Sequence, residues 1–224
     1  MKKMSDDISS QSTDDGSSFL LLDIEQIKKG EIDHQKNKKH SQIKNILTRI
    51  DLFDKKISNN IYELELNIIL ENIIHMFGRL FNVDIVLIFY ISVFIYQSFF
   101  NKNYYYIIKP FIHLSLIFIL STILKYIIKR PRPDINKNVK RLYNLRKKEK
   151  NFSMPSGDSM QAANFAIIAL FYFNASYLGF IVVPFVMFAR IFYFCHYFFD
   201  TLIGALIGGF ASFGLVFPLR CLNF

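Results

Sequence analysis

The sequence has few cysteines, and neither of the two lies where a disulfide or a zinc site would need it. Cys195 and Cys221 stand in apolar stretches, without the paired spacing of metal ligands. We therefore expect both to be buried free thiols. Carboxylates with metal-ligand spacing are also missing from the sequence. The sequence therefore predicts neither a metal ion nor another cofactor.

An apolar segment is missing from the beginning of the chain. Residues 1–18 are polar and do not contain the hydrophobic region of a cleavable secretory signal. We therefore expect the first spanning helix to act as the targeting signal, and the N-terminus to stay in the cytosol.

Acidic residues are scarce, because 18 Asp and Glu stand against 27 Lys and Arg, which gives a net charge of +9. The basic residues lie beside apolar segments. This arrangement favours orientation in a membrane and attraction to anionic headgroups. Nucleic acid is the weaker alternative, and we expect no nucleic-acid partner.

Hydrophobic residues make up 52% of the 224 residues, and they are dense after Ile85. Long apolar runs in that half predict a membrane protein instead of one or two soluble domains. Residues 1–45 are predicted to be a disordered polar cytosolic tail. Residues 46–82 are predicted to be an amphipathic or interfacial helical region, and residues 83–224 the transmembrane catalytic domain.

The apolar runs predict an all-α fold, in which about five transmembrane helices follow an amphipathic helix. The predicted spans are residues 85–100, 104–128, 160–173, 177–193 and 201–217. Residues 129–150 contain ten Lys and Arg against two acidic residues, which is typical of a cytosolic loop. Counting the spans from a cytosolic N-terminus places three clusters of polar residues on the cytosolic face.

These three clusters hold residues that are costly to bury beside apolar helices, which points to chemistry rather than packing. The clusters are Lys125, Arg132 and Pro133; then Pro155, Ser156, Gly157 and Asp158; then Arg190, His196 and Asp200. Cations, a serine turn and a histidine at one membrane face predict a phosphate site.

The spacings Lys-x6-Arg-Pro, Pro-Ser-Gly and Arg-x5-His-x3-Asp occur in this order over residues 125–200. They resemble the motifs of the superfamily of type 2 phosphatidic acid phosphatases and vanadium haloperoxidases. The two spans before the first motif are similar to those of the polyisoprenoid diphosphate phosphatases. The resemblance implies a helical bundle whose helix ends surround a phosphate, and a reaction through a phosphohistidine.

The resemblance also implies which residues hold the phosphate. They are cations and hydrogen-bond donors, namely Lys125, Arg132, Arg190, Ser156 and the N–H of Gly157. A Pro-Ser-Gly turn just before a helix offers backbone donors and the positive end of the helix dipole, which suits an anion.

The third motif would supply the reacting group. By resemblance, His196 attacks phosphorus and Asp200 orients His196. Asp200 follows His196 by one helical turn, which places it to accept from one ring nitrogen while the other stays available for attack.

Two positions depart from the family pattern. Ala189 stands where a serine usually precedes the third-motif arginine, and Asp158 replaces the histidine that normally protonates the leaving oxygen. Burial raises the pKa of an aspartate while nearby cations lower it. We expect Asp158 to serve as the acid, aided by a phosphate or diphosphate leaving group that needs little protonation.

The sequence therefore predicts a membrane phosphatase that acts on a lipid phosphate or diphosphate at the cytosolic face of the endoplasmic reticulum or another endomembrane. Its expected partners are that lipid and the bilayer. Two alternatives stay open. One is a catalytically silent relative that binds lipid headgroups or a partner protein, which Asp158 favours, and the other is a lipid phosphotransferase with the same phosphoenzyme.

Overall fold

The computed structural model describes residues 15–100, 105–135, 139–172 and 178–221. Every regular element in this part of the chain is helical, which confirms the predicted all-α fold. The chain divides after Asp51 into two units. In the first unit, the described residues form the beginning of one long helix. The second unit, Leu52–Phe224, holds all residues of the predicted site.

Seven α-helices and one 3₁₀ turn make up the regular structure of the described residues. The α-helices are α1 (Asp15–Tyr62), α2 (Ile68–Leu80), α3 (Val83–Phe100), α4 (Tyr105–Ile128), α5 (Gly157–Tyr172), α6 (Leu178–Phe192) and α7 (Phe198–Cys221), and the 3₁₀ turn is Arg146–Lys148. Helix α5 packs against α4, α6 and α7, so it lies at the centre of the bundle.

The N-terminal part of the chain differs from the prediction. Residues 15–45, expected to be a disordered tail, belong to helix α1, and residues 1–14 of that tail lie outside the described residues. Residues 15–62 contain no proline, and their many Lys and Leu residues lose little freedom in a helix. The predicted amphipathic region 46–82 holds the end of α1 and all of α2. Asn67 caps the start of α2, where its side chain accepts a 2.9 Å hydrogen bond from the Leu70 N–H.

Two helices of the described residues are long and apolar enough to cross a membrane, namely Ile108–Ile128 and Phe198–Val216. The pair Ile68–Leu80 and Asp84–Tyr96, bent by 71°, makes a third candidate. A helix corresponds to each of the five predicted spans, although residues 104, 173 and 177 at their ends lie outside the described part. Helices α5 and α6 have 16 and 15 residues, fewer than the roughly 20 that a bilayer requires. Five spans therefore stay a prediction.

Two glycines of α7 allow it to lie directly on α5. A Cβ atom at Gly204 would stand 2.7 Å from the carbonyl oxygen of Ser156, and one at Gly208 would overlap the backbone of Met160. Small residues one helical turn apart let helix backbones approach closely in membrane proteins. Next to this contact, the Ser156 N–H donates a 2.9 Å hydrogen bond to the Asp200 carbonyl oxygen. The second and third motifs are therefore joined through the backbone.

Candidate active site

The three sequence motifs meet at one end of the bundle, around a cavity of about 990 Å³. The end of α4, the start of α5, and the turn between α6 and α7 supply its polar wall. Five of the eight predicted site residues line it, namely Lys125, Arg132, Gly157, Asp158 and His196. The other three lie behind this wall, namely Ser156, Arg190 and Asp200.

His196 is held in a tight turn after α6. Phe194 adopts a left-handed backbone conformation, with a φ of 52°, which is rare for a bulky residue. The N–H groups of Cys195 and His196 then both bond to the Arg190 carbonyl oxygen, at 3.0 and 3.3 Å. This turn brings the imidazole to the cavity while leaving it only 1% exposed.

A backbone carbonyl orients the imidazole. His196 Nδ1 lies 2.6 Å from the Ser153 carbonyl oxygen. Because a carbonyl can only accept, we assign the ring proton to Nδ1, which leaves the lone pair on Nε2. The predicted hydrogen bond from His196 to Asp200 is not formed, since Asp200 Oδ2 is 4.0 Å from Nδ1. Asp200 bonds instead to Arg130 and to the Tyr197 N–H.

Arg132 faces the other ring nitrogen. Its Nη1 lies 3.3 Å from His196 Nε2 and donates a 2.8 Å hydrogen bond to the Cys195 carbonyl oxygen. Its Nε donates to the Asn151 carbonyl oxygen at 2.5 Å. The prolines on both sides extend the chain here, and these contacts aim the guanidinium at the cavity. Arg132 therefore lies where it can meet an anion that approaches His196.

Glu149 joins the two motif arginines. Its Oε2 lies 2.8 Å from Arg132 Nη2, and its Oε1 makes a short contact with Arg190 Nη2. Arg190 also pairs with Asp158 Oδ2 at 2.9 Å through its Nε. The Glu149 carboxylate thus places two oxygens on two guanidinium groups, as a phosphate would.

Gly157 and Ser156 lie at the start of α5, next to the cavity. A Cβ atom at Gly157 would lie 3.0 Å from Ser121 Oγ, so glycine lets α4 approach the start of α5, with Lys125 Nζ at an ordinary contact distance of 3.9 Å. The structure places the Ser156 hydroxyl differently from the prediction. It is fully buried and accepts from the Ser159 hydroxyl at 3.0 Å and from the Ser159 N–H at 3.4 Å, so it caps α5 and does not line the cavity.

Comparison with known proteins agrees with this geometry. The family model of the PAP2 superfamily matches residues 110–219, a region that contains every predicted site residue. This part of the chain belongs to the PAP2 superfamily. None of the curated proteins matches the sequence significantly.

Two solved PAP2-type structures are similar to this chain. One is the transmembrane PAP2-type phosphatidylglycerolphosphate phosphatase of Bacillus subtilis, with a TM-score of 0.64 and 21% identity over 78% of this chain and 88% of the other. The second is LpxE of Aquifex aeolicus, with a TM-score of 0.56 and 22% identity over 72% of this chain and 93% of the other. At these identities the likeness establishes the fold, which is that of the PAP2 membrane phosphatases.

The electrostatics of this PAP2 site set the protonation of its titratable groups. Burial lowers the pKa of His196 well below its usual value, and Arg132 and Arg190 lower it further. Burial raises the pKa of Asp158, although Arg190 acts in the opposite direction. For Glu149, burial alone would raise the pKa, but Arg190 and Arg132 outweigh it and hold that pKa below its usual value. The imidazole is therefore neutral at pH 7, and Asp158 is easier to protonate than an exposed aspartate.

Three residues of this site were missed by the sequence reasoning, namely Arg130, Glu149 and Ser153. Glu149 had a usable signal, because it is a lone acid within Arg-Lys-Lys-Glu-Lys. Arg130 stands in the same Arg-Pro-Arg-Pro run as Arg132. Ser153 acts through its carbonyl oxygen, which every residue possesses and no sequence pattern reveals. Within the described residues, no three His, Cys, Asp or Glu side chains are grouped to hold a metal ion.

Proposed function

We propose that this protein is an integral membrane phosphatase that hydrolyses a lipid phosphate or diphosphate through a phosphohistidine at His196. One observation carries the proposal: the Nε2 atom of a neutral, buried imidazole lies beside Arg132 at the polar end of a cavity whose other wall is apolar. The family and the fold support the same reaction class.

The polar end of the cavity suits phosphoryl transfer. Arg132 and Lys125 bind the phosphate oxygens from the cavity wall, and Arg190 supports them from behind. The Nε2 lone pair of His196 attacks phosphorus in line with the ester oxygen. The N–P bond forms as the P–O bond breaks, and the cations stabilise the charge on the oxygens.

Asp158 handles the proton in both halves of the reaction. Its protonated carboxyl gives the proton to the leaving oxygen, which departs as the lipid alcohol from a monophosphate or as the lipid monophosphate from a diphosphate. A water molecule then attacks phosphorus, Asp158 takes its proton, and the N–P bond breaks to release phosphate and regenerate His196. The raised pKa of Asp158 supports this exchange.

The apolar wall of the cavity favours a substrate with a hydrocarbon chain. Phe81 and Leu87 line it from the region of α2 and α3, and Phe118 and Ile119 line it from α4. Leu87, Phe118 and Ile119 are 43%, 48% and 52% exposed, so they can contact a lipid tail. Phosphatidic acid and isoprenoid diphosphates are the substrates that we propose to test first.

The decisive experiment measures phosphate release by the purified full chain in mixed micelles. We expect release from phosphatidic acid or an isoprenoid diphosphate, inhibition by vanadate, and a loss of about 10³-fold or more in His196→Ala. His75→Ala is the matched control, because His75 stacks on the Tyr143 ring at 3.7 Å and does not line the cavity. Full activity in His196→Ala rejects the mechanism.

The alternatives give different results in the same assay. The pairing of both motif arginines with internal carboxylates favours a silent headgroup binder as the second candidate. Such a protein releases no phosphate from any substrate. A phosphotransferase forms a new phosphate ester when a second alcohol is added.

The proposed endomembrane location, with the cavity on the cytosolic side, is tested by protease access to residues 129–150 in sealed microsomes.

A further inference from the structure

Asp54 is a buried carboxylate on α1, outside the region that matches the PAP2 family. It is 0% exposed. Its Oδ2 lies 2.6 Å from Arg130 Nη2, and its Oδ1 accepts a 2.8 Å hydrogen bond from the Phe199 N–H at the start of α7. A buried charge is costly unless it is paired, and Arg130 supplies the pairing cation.

The second guanidinium nitrogen of Arg130 binds Asp200 of the third motif. Its Nη1 lies 2.6 Å from Asp200 Oδ1, and its guanidinium stacks 4.4 Å from the centre of the Tyr197 ring. Asp200 Oδ2 accepts a 2.9 Å hydrogen bond from the Tyr197 N–H. One planar cation therefore bridges two buried carboxylates, a geometry that lysine cannot reproduce.

The backbone of Arg130 reaches the nucleophile by a second route. Its carbonyl oxygen accepts a 2.9 Å hydrogen bond from the Ser153 N–H. The carbonyl oxygen of Ser153 in turn holds His196 Nδ1 at 2.6 Å. The side chain of Arg130 thus fixes Asp200 and its backbone fixes Ser153, the two groups nearest to Nδ1.

We propose that Asp54 and Arg130 are positioning residues: Asp54 holds the Arg130 guanidinium, which fixes Asp200 and the Ser153 segment behind the imidazole of His196. The inference rests on the proposed function, in which His196 is the nucleophile. Neither Asp54 nor Arg130 lines the cavity. Removing the Asp54 charge therefore slows the attack by His196 and leaves the binding of phosphate nearly unchanged.

The test is single-turnover formation of the phosphoenzyme by the purified full chain. The substrate is phosphatidic acid labelled in its phosphate and presented in mixed micelles, and samples are quenched in alkali. For Asp54→Asn we expect the rate per active site to fall about tenfold or more, while the amplitude and the inhibition constant of vanadate stay within about twofold. A merely structural role lowers the amplitude and leaves the rate per site unchanged.

Three further variants show whether the two residues act as one unit. In an Arg130→Gln background, adding Asp54→Asn should change the rate by less than about twofold, because the pair is already broken. Arg130→Lys keeps the charge but reaches only one carboxylate, and we expect a folded protein whose rate is at least about fivefold below that of the wild type. Glu63→Gln, an exposed charge just after α1, should match the wild type.

Several outcomes overturn the inference. They are a wild-type rate per site in Asp54→Asn, additive effects of the two substitutions, or a wild-type rate in Arg130→Lys. If Asp54→Asn yields no folded protein, Arg130→Lys decides the question. Absence of any phosphoenzyme in the wild type, with activity retained in His196→Ala, rejects the proposed function instead.

Discussion

Two clusters of ion pairs lie on the two sides of the His196 imidazole, and they differ in exposure. On the Nε2 side, Glu149 and Asp158 pair with the motif arginines, and their side chains are 23% and 16% exposed. On the Nδ1 side, Asp54 and Asp200 pair with Arg130, and their side chains are 1% and 0% exposed. We name them the front cluster and the rear cluster.

The difference in exposure suits the two clusters to different roles in the proposed reaction. A phosphate that reaches His196 must meet the front arginines, so the anions on them have to be exchangeable. Partial exposure lets water stabilise a carboxylate as it leaves. The rear carboxylates have no such access, and breaking a buried pair leaves an uncompensated charge. In the proposed reaction, the front cluster therefore serves binding and chemistry, whereas the rear cluster holds the imidazole of His196 in place.

The largest effect is expected from removing the cation shared by both front carboxylates. Arg190→Ala leaves Asp158 and Glu149 without that partner, and we expect kcat/KM to fall about 10³-fold. Arg190→Lys should recover little, because an ammonium cannot serve both carboxylates in the guanidinium geometry. Steady-state kinetics in mixed micelles measure this. An Arg190→Ala variant within about threefold of the wild type contradicts the function assigned to the front cluster.

A smaller effect is expected for the proposed proton donor. Asp158→Asn keeps the shape but cannot give or take a proton, so we expect kcat for a lipid monophosphate to fall about 10²-fold. A diphosphate substrate should lose less, since its leaving phosphate needs less protonation. The ratio of the two losses is the measurement. Equal losses on both substrates, or a strong preference for the monophosphate that survives in Asp158→Asn, remove Asp158 from this role.

The pH dependence of kcat/KM distinguishes the two titratable groups of the proposed reaction, His196 and Asp158. The pKa of His196 is lowered, so the imidazole becomes the active neutral form below the ordinary histidine value of about 6.5. The pKa of Asp158 is raised, so its protonated form persists to higher pH than for an exposed aspartate. We expect an acid limb below pH 6.5 and an alkaline limb that disappears in Asp158→Asn. An alkaline limb unchanged in that variant contradicts the assignment.

The smallest effect is expected from the exchangeable anion of the front cluster. Glu149→Gln removes the charge that competes with phosphate for Arg132 and Arg190, so we expect vanadate to bind about fivefold more tightly. Inhibition by vanadate measures this. Asp134→Asn is the matched control, because it removes an exposed negative charge from the same basic segment. Weaker vanadate binding in Glu149→Gln means that Glu149 supports the arginines and does not compete with phosphate.

Glu149 also links stability to pH in a defined direction. Its pKa is lower in the folded protein than in the unfolded chain, so it stabilises the fold above its unfolded pKa. This contribution is lost as the pH falls through the folded pKa. The melting temperature of Glu149→Gln should therefore lie below that of the wild type at pH 7 and approach it in acid. A difference that persists at low pH contradicts the ion pairs as its cause.

The sequence predicted the approximate positions of helices α3 to α7 because their apolar composition determines them. The predicted span 104–128 corresponds to α4, Tyr105–Ile128, which ends just before the two prolines. Motif spacing and the counting of spans also placed Lys125, Arg132 and His196 together, and all three line one cavity. These predictions depend on local patterns, which a single sequence contains.

The errors arose where a partner comes from a distant part of the chain. Asp200 was expected to bond to His196, but Arg130 takes one of its oxygens, and a carbonyl at residue 153 takes the imidazole proton. The Ser156 hydroxyl was expected on the phosphate, but it satisfies the start of α5 instead. Asp54 lies on a helix where the charges gave no sign of a role. Spacing along the chain does not report such competition between partners.

The contact of Gly204 with Ser156 has a consequence for how the site responds to its ligand. The start of α5 and the wall of α7 touch without an intervening side chain, and such close packing leaves no free space for one to move against the other. The turn at the start of α5 and the Asp200 segment behind the imidazole therefore resist independent shifts. In the proposed reaction, a displacement caused by an arriving anion would therefore be shared by the start of α5 and the start of α7, which preserves the alignment of His196 with its supports.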